Sequence, residues 1–269
     1  MSAADRIARG LFGLYMAAFF LYLFAPLVVM SAATFNTSRF PTVMPWQGTT
    51  LQWFAALWND RPMWQSVWTS IVVAFFVVLV ALPVGTAAAL ILTSLHARAR
   101  SFLYALMVSP LLTPGVVIGI ATLVLWRQLG VGGGIFLIVV AQASFIICYV
   151  MLMVAARLQR FDRTQEEAAL GLGASKFMVF RRILLPFLKP ALIAAAFLAV
   201  LQSIENYNTT LFVRGFDTPL TVYIATKVRT GLTPAVNALA LVMIAITILG
   251  AVAYEIARRR QAAAAPKGD

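Results

Sequence analysis

The chain has 269 residues, of which 62% are hydrophobic and only 11% are charged, and its mean hydropathy is +0.90. Soluble domains carry about 25% charged residues, so the composition argues against a water-soluble globular enzyme. The chain contains 21 Lys and Arg residues against 9 Asp and Glu, a net charge of +12. The single cysteine, Cys148, and the single histidine, His96, exclude a disulfide framework and a His/Cys metal cluster within the chain.

Six segments are apolar and long enough to cross a membrane as helices, since a spanning helix needs about 20 mostly apolar residues. These segments comprise 11–33, 68–92, 102–126, 135–156, 189–211 and 236–257. Their continuous apolar runs favour helices over the alternating pattern of barrel strands. The first run is too long for a signal peptide and is predicted to be an uncleaved anchor. The sequence therefore predicts an all-α membrane protein with six transmembrane helices.

The distribution of basic residues predicts how the chain is oriented in the membrane. With the N-terminus inside, the cytoplasmic segments contain 15 of the 21 Lys and Arg residues, and the outer segments contain the other six. Both termini are therefore predicted to be cytoplasmic. Because this topology explains the excess of positive charge, the charge does not indicate a nucleic-acid partner.

Two short helices are predicted at the outer membrane surface. The outer segment 34–67 is rich in Trp, which is favoured at the boundary between membrane and water. Residues 51–59 are therefore predicted to form an interfacial helix, and 219–230 a second one. Prolines inside the predicted spans are each expected to kink a helix; they are Pro26, Pro83, Pro110 and Pro114.

The longest cytoplasmic loop, 157–188, has the pattern of a helix–turn–helix. Thr164 and Glu167 have the spacing of a capping box that begins a first helix. Gly171 and Gly173 are predicted to end that helix, because glycine readily adopts the left-handed conformation. Glu167 has two interpretations, as a cap of its own helix or as a partner for a cation on another protein.

The second helix of this loop is predicted to be capped by Ser175 and closed by Pro186. Its apolar face comprises Phe177, Phe180, Ile183 and Leu184. Arg181 and Arg182 on the same helix are predicted to contact anionic membrane lipid, or else the partner of the loop. Taken alone, the pattern also fits a DNA-binding helix–turn–helix or a plain interfacial loop.

The same loop resembles the EAA loop of permease subunits of binding-protein-dependent ABC importers. Seven positions match at the family spacing: Glu167, Ala168, Ala169, Gly173, Ile183, Leu185 and Pro186. The resemblance implies that these residues form a coupling loop that docks on a cytoplasmic ATPase. It also implies a type I ABC importer permease fold in the bacterial inner membrane. The implied partners are a homologous second permease, two copies of the ATPase and a periplasmic substrate-binding protein.

A second stretch, 219–250, resembles the spermidine/putrescine-type branch of these permeases, chiefly through TGLTPAVNALA at 230–240. The resemblance implies an N-terminal span with an outer segment in 1–66 and a permease core of five spans in 67–257. The remaining residues, 258–269, are then a cytoplasmic tail. The implied substrate is a small polar solute, a polyamine or a related compound.

Glu205 is the acidic residue predicted to lie at membrane depth. An ionisable group there is costly and faces the bundle interior or water, which makes it a candidate for the substrate pathway. Its polar neighbours, which include Asn206, Tyr207 and Asn208, predict a cavity or a broken helix. A helix–helix hydrogen-bond cluster or a gate contact with the second permease would explain the same residues. Polyamine permeases carry an acidic pair here, and Glu205-Asn206 departs from that pair.

The sequence contains no motif that would make the chain itself an ATPase or another enzyme. The phosphate-binding pattern GxxxxGK[ST] is absent, and no catalytic or metal-ligating set can be assembled. ATP-Mg is therefore expected on the partner ATPase, and no cofactor on this chain. The predicted function is half of an ATP-driven import pathway. The alternatives are a stand-alone secondary transporter or channel, which would more often show several intramembrane acids or internal repeats, and a membrane-embedded enzyme.

Overall fold

The computed structural model describes residues 3–231 and 233–264. This part of the chain is almost entirely helical, apart from an isolated β-bridge between Asn36 and Thr49, and the predicted all-α class is confirmed. The helices are α1 (Ala3–Thr34), α2 (Gln52–Asn59), α3 (Arg61–Ser94), α4 (Ala97–Leu112), α5 (Gly115–Gln128), α6 (Ile135–Leu158), α7 (Thr164–Gly171), α8 (Lys176–Val179), α9 (Leu185–Ile204), α10 (Thr210–Val213), α11 (Leu220–Thr230) and α12 (Pro234–Ala264), with a π-helical segment, Phe180–Leu184, between α8 and α9.

Four helical stretches within the described residues are long and apolar enough to cross a membrane. They are Ile7–Thr34, Arg61–Ser94, Ile135–Leu158 and Lys176–Ile204, at the positions of the first, second, fourth and fifth predicted spans. A shorter apolar helix, Pro234–Gly250, lies where the sixth was predicted. Helices also form at both predicted interfacial stretches, as α2 and α11. The end of the predicted tail, 265–269, lies outside the described residues.

The third predicted span, 102–126, is wrong as a single kinked helix. The α4 and α5 helices are separate and meet at an angle of 99°. Pro114 has no backbone N–H and forces the residue before it out of helical conformation. Thr113 is accordingly extended, with φ −86° and ψ 128°, and its N–H donates back to Pro110 at 3.3 Å. The sequence indicated the proline but not the size of the bend.

The fifth span also differs from its prediction of 189–211, because one continuous helical stretch runs from Lys176 to Ile204. Pro186 does not close the second loop helix as predicted. Here the Leu185 N–H donates to the Phe180 carbonyl, five residues back, and Pro186 follows in the first turn of α9. The wider π turn relieves the clash between a proline ring and the preceding turn. The predicted apolar face is divided, since Phe177 is 70% exposed and the other three residues are half-buried.

The chain forms two compact units, one built on α1, α2 and α12 and one that spans Pro62–Ala225. In the first unit, the buried Asn36 side chain organises the loop after α1. Its carbonyl oxygen accepts from the Gln47 N–H at 3.0 Å, and its amide donates to the Thr42 and Pro45 carbonyls at 2.9 and 3.2 Å. The predicted boundaries at 66 and 257 stay predictions.

In the unit Pro62–Ala225, α6 is the central helix. Its residues Leu137, Ile138, Ile146 and Val154 are fully buried and belong to one apolar cluster with residues of α3 and α9. This burial on several faces explains why α6 is apolar all round rather than amphipathic.

Hydrogen bonds at the two ends of this unit show which helix ends lie together. At one end, the Leu220 N–H donates to Ser70 Oγ at 2.8 Å, and Asp217 Oδ2 accepts from the Ile135 N–H at 3.0 Å. At the other end of α3 and α6, Arg163 Nη2 donates to the Thr93 carbonyl at 3.0 Å. The first end therefore contains the starts of α3, α6 and α11, and the second contains the ends of α3 and α6.

Replacement of Gly85 by alanine is expected to destabilise this unit. A Cβ atom there would lie 2.7 Å from Val150 Cβ and 2.9 Å from the Ile147 carbonyl oxygen, so α3 would have to move away from α6. Such overpacking costs about 1–3 kcal/mol, which should lower the melting temperature of the purified protein in detergent. Gly13→Ala is the matched control, because among the described residues, its own helix backbone apart, no atom lies within 4 Å of its Cβ position. Equal melting temperatures for the two variants would contradict the tight contact.

Candidate functional site

The first loop helix, α7, does not begin with the predicted capping box. Thr164 donates to Asp162 Oδ1 through both its hydroxyl, at 2.7 Å, and its N–H, at 3.0 Å, while the Glu167 N–H donates to the Arg163 carbonyl. These hydrogen bonds to Thr164 lower the pKa of Asp162 from its ordinary value, the side-chain bond being the larger cause. The exposed Glu167 side chain makes no hydrogen bond or ion pair within the described part of the chain. Its role as a cap of its own helix is therefore not observed.

The turn after α7 matches its prediction. Gly173 has a φ of +86°, a left-handed conformation, and its N–H donates to the Leu170 carbonyl at 3.0 Å. The next N–H, of Ala174, donates to the Ala169 carbonyl at 3.0 Å, which completes a Schellman motif. Ser175 then caps α8 as predicted, because its hydroxyl accepts from the Met178 N–H at 3.2 Å.

The seven predicted coupling residues fall into two groups along the chain. Glu167, Ala168 and Ala169 lie on α7 with Gly173 just after it, whereas Ile183 ends up in the π-helical segment and Leu185 and Pro186 begin α9. All except the half-buried Ala169 and Ile183 are exposed. The small residues therefore leave the backbone of α7 and its last turn open to a partner.

Two arginines attach this loop to the spans, and sequence reasoning counted them only as topology charges. Arg157 Nε donates to the Phe187 carbonyl at 3.2 Å, and its guanidinium lies 4.2 Å from the centre of the Phe187 ring. Arg163 donates a hydrogen bond to the Thr93 carbonyl at the end of α3. The loop is thus fixed to α3, α6 and α9 rather than hanging free.

The predicted broken helix is confirmed at the polar run after α9. The helix ends at Ile204, Glu205 occupies its C-terminal cap, and regular helix resumes at Thr210. This break faces the break between α4 and α5, and a cavity of about 250 Å³ lies between them. Its lining comprises Pro110, Leu111, Thr113, Gly115, Ile118, Phe145, Tyr149, Gln202, Glu205, Asn206, Tyr207, Asn208 and Thr209. All four predicted pathway residues therefore line one cavity, in which Glu205 is the charged lining residue.

Two glycines of α5 let the broken segment approach closely. A Cβ on Gly115 would lie 2.8 Å from Thr209 Oγ1, and one on Gly119 would lie 2.6 Å from the Thr209 carbonyl oxygen. The Thr209 hydroxyl is buried and has no hydrogen-bond partner among the described residues. A buried unpaired hydroxyl is costly, and the cavity that it lines has room for a partner such as water.

The chain resembles known proteins over most of its length. Residues 81–263 match the family described as "Binding-protein-dependent transport system inner membrane component". The spermidine/putrescine transport system permease protein PotC of Escherichia coli (strain K12) is 32% identical over 256 residues, which cover 94% of this chain and 96% of PotC. The putrescine transport system permease protein PotI of the same strain is 33% identical over 251 residues, covering 90% of this chain and 89% of PotI.

Among solved structures, a chain of a bacterial ABC transporter involved in the import of the acidic polysaccharide alginate has the same fold. The TM-score is 0.73 at 18% sequence identity, and the match covers 96% of this chain and 98% of that chain. This likeness concerns the fold alone, whereas the sequence relatives and the family match concern the function. The protein therefore belongs to the binding-protein-dependent inner membrane components, as a PotC-like permease subunit of an ABC importer.

Proposed function

We propose that this permease forms one half of a translocation pathway for a small organic cation of the polyamine class. The observation that carries the proposal is the cavity between two broken helices, which Glu205 lines as a charged residue. Discontinuous helices that meet near the bilayer centre are a common way to build a substrate site in transporters. The sequence relatives PotC and PotI carry polyamine transport in their names, and the substrate class follows from them.

The chemistry of the cavity suits an ammonium group. The Glu205 carboxylate attracts the charge, and Tyr149 and Tyr207 belong to the same lining, where aromatic rings suit a cation. At about 250 Å³ the cavity is smaller than a typical ligand site of about 300–1,000 Å³. This size fits half of a site, and we propose that a homologous second permease supplies the other half and a second negative group.

The coupling loop is proposed to dock on a cytoplasmic ATPase, with one ATPase copy for each permease. The exposed Glu167, which has no partner within the described part of the chain, and the open turn at Gly173 support docking. The bonds from Arg157 and Arg163 to the spans support transmission of movement. ATP-Mg would bind only to the ATPase, and this chain would need no cofactor. Movement of the loop would open the cavity first to a loaded periplasmic binding protein and then to the cytoplasm.

Six spans with both termini in the cytoplasm are proposed as the topology. The bent α4–α5 pair counts as one span, because α4 starts beside the ends of α3 and α6 and α5 ends beside the start of α6. A cavity lined by Leu92, Arg100 and Gln159 supports the first contact, and Trp126 and Phe136, whose rings lie 4.9 Å apart, support the second. Arg181 and Arg182, both exposed, are proposed to contact anionic lipid.

Reconstitution tests this proposal against the stand-alone transporter or channel. The permease is assembled with its partner permease, ATPase and binding protein in proteoliposomes, and uptake of labelled putrescine and spermidine is measured. We expect uptake that requires both ATP and the binding protein. Uptake by this chain without the ATPase would overturn the ABC mechanism. An assembled transporter that hydrolyses ATP but takes up neither amine would overturn the substrate class.

A further inference from the structure

A buried chain of polar side chains closes the break between α9 and α10. Gln142, two turns after the start of α6, donates from Nε2 to Thr210 Oγ1 at 2.8 Å and accepts from Ser203 Oγ at 2.6 Å. Ser203 lies at the end of α9 and Thr210 at the start of α10, so one side chain bonds both sides of the break. All three residues are at most 5% exposed.

This series of hydrogen bonds continues into residues 205–209, the cavity segment. Thr210 donates its N–H and its hydroxyl to Asn206 Oδ1, at 3.2 and 3.0 Å. The Asn206 carbonyl accepts in turn from the Thr221 hydroxyl at 3.1 Å, which connects the segment to α11. Asn206 lines the cavity beside Glu205. An uninterrupted series of hydrogen bonds therefore links the core of α6 to the cavity wall.

We propose that Gln142 is the positioning residue for the cavity segment 205–209. Gln142 does not line the cavity, and its effect on the substrate is exerted through Ser203, Thr210 and Asn206. A glutamine suits this position because one amide supplies both a donor and an acceptor, and each points to a different end of the break. With the network intact, the segment holds Glu205 toward the cavity and keeps Thr209 buried against α5.

A simple stabilising role for the network has a different consequence. Hydrogen bonds between packed helices in a membrane also stabilise the fold, and their loss would loosen α6 as a whole. A positioning role affects the segment 205–209 and leaves the rest of α6 packed. Two cysteines distinguish these effects: the native Cys148, which is 3% exposed on α6, and a probe introduced by Thr209→Cys, at a position that is 0% exposed.

The experiment compares thiol labelling of these two cysteines in the assembled transporter, with and without Gln142→Met. Methionine has a similar length but forms neither bond, so Ser203 and Thr210 are no longer joined across the break. We expect a membrane-permeant maleimide, followed by peptide-resolved mass spectrometry, to label position 209 at least tenfold faster in the variant and Cys148 at an unchanged rate. Ser144→Ala is the matched control, since within the described residues this α6 hydroxyl bonds only to the Ala141 carbonyl of its own helix, at 2.7 Å.

Equal acceleration at both cysteines, or no acceleration at position 209, would overturn the proposal. If Gln142→Met does not assemble, Ser203→Ala replaces it, because it removes one of the two bonds and is expected to give a smaller change at position 209 alone. The labelling requires no transport, so its result is independent of the proposed substrate.

A transport readout follows from the proposed function, on which it rests. Gln142→Met should raise the KM for putrescine uptake several-fold in proteoliposomes at an unchanged ATPase content. A reduced maximal rate at an unchanged KM would assign Gln142 to stability and overturn its positioning role. Unchanged uptake by Glu205→Gln would show that the cavity is not the pathway. The labelling result at position 209 would still test whether Gln142 positions the segment 205–209.

Discussion

Replacement of Gly173 by aspartate is expected to remove the ATPase from the purified permease. Gly173 ends α7 in a left-handed turn, and no atom of the described chain lies within 4 Å of the Cβ position. The new side chain therefore meets no obstacle in the permease itself. If the loop docks in a groove, the carboxylate enters that interface, and burial of an unpaired charge is strongly unfavourable. We expect more than a tenfold loss of ATPase recovered per permease in affinity purification.

Gly130→Asp is a close control for this variant. Gly130 follows α5 at φ +79°, and again no atom of the described residues lies within 4 Å of its Cβ position. The turn has the same two hydrogen bonds, from the Gly130 N–H to the Arg127 carbonyl and from the Val131 N–H to the Trp126 carbonyl. An aspartate at either glycine experiences the same backbone strain, on the order of 1–2 kcal/mol, and the same unfavourable helix end. Retention of the ATPase by Gly130→Asp alone assigns the effect at Gly173 to docking. Equal losses in both variants would assign it to the backbone, and no loss in either would exclude docking at this turn.

Much of the fold could be predicted because the bilayer leaves few choices. An apolar run of about 20 residues must satisfy its own backbone hydrogen bonds, and a helix does so. The left-handed turn at Gly173 and the cap at Ser175 are local, so short sequence patterns suffice to predict them. The capping box failed for an equally local reason: the Asp162 carboxylate, two residues before Thr164, accepts from the Thr164 N–H, which the Glu167 side chain would bind in a capping box, and also from the Thr164 hydroxyl.

The features that escaped prediction depend on distant residues. Gln142 appears in the sequence as an isolated polar residue in an apolar run, because its partners Ser203 and Thr210 lie 61 and 68 residues away. The bend at Thr113 and the break at Glu205 were each indicated by composition, by a proline and by a polar run. Their juxtaposition around one cavity is a consequence of tertiary packing, with Gly115 permitting the contact.

Replacement of Glu205 by glutamine is expected to raise the KM for putrescine uptake by about tenfold to a hundredfold. The change keeps the shape of the side chain and removes its charge. Hydrogen bonds to charged groups contribute about 1.5–3 kcal/mol, and each 1.4 kcal/mol corresponds to about tenfold in affinity. ATPase recovery should stay unchanged, because Glu205 is remote in sequence from the coupling loop. Uptake kinetics in proteoliposomes that contain the complete transporter measure the effect.

The second variant, Asn206→Asp, separates a charge effect from a neutral hydrogen-bond cluster. Asn206 Oδ1 accepts both bonds from Thr210, and a carboxylate oxygen can accept the same two, so the cavity segment keeps its support. Combined with Glu205→Gln, it restores one negative charge a single residue along the chain. If charge recognition holds, the double variant recovers part of the lost affinity for putrescine. If Glu205 only joins helices, the second change adds an unpaired charge to the damaged contact, and uptake falls further.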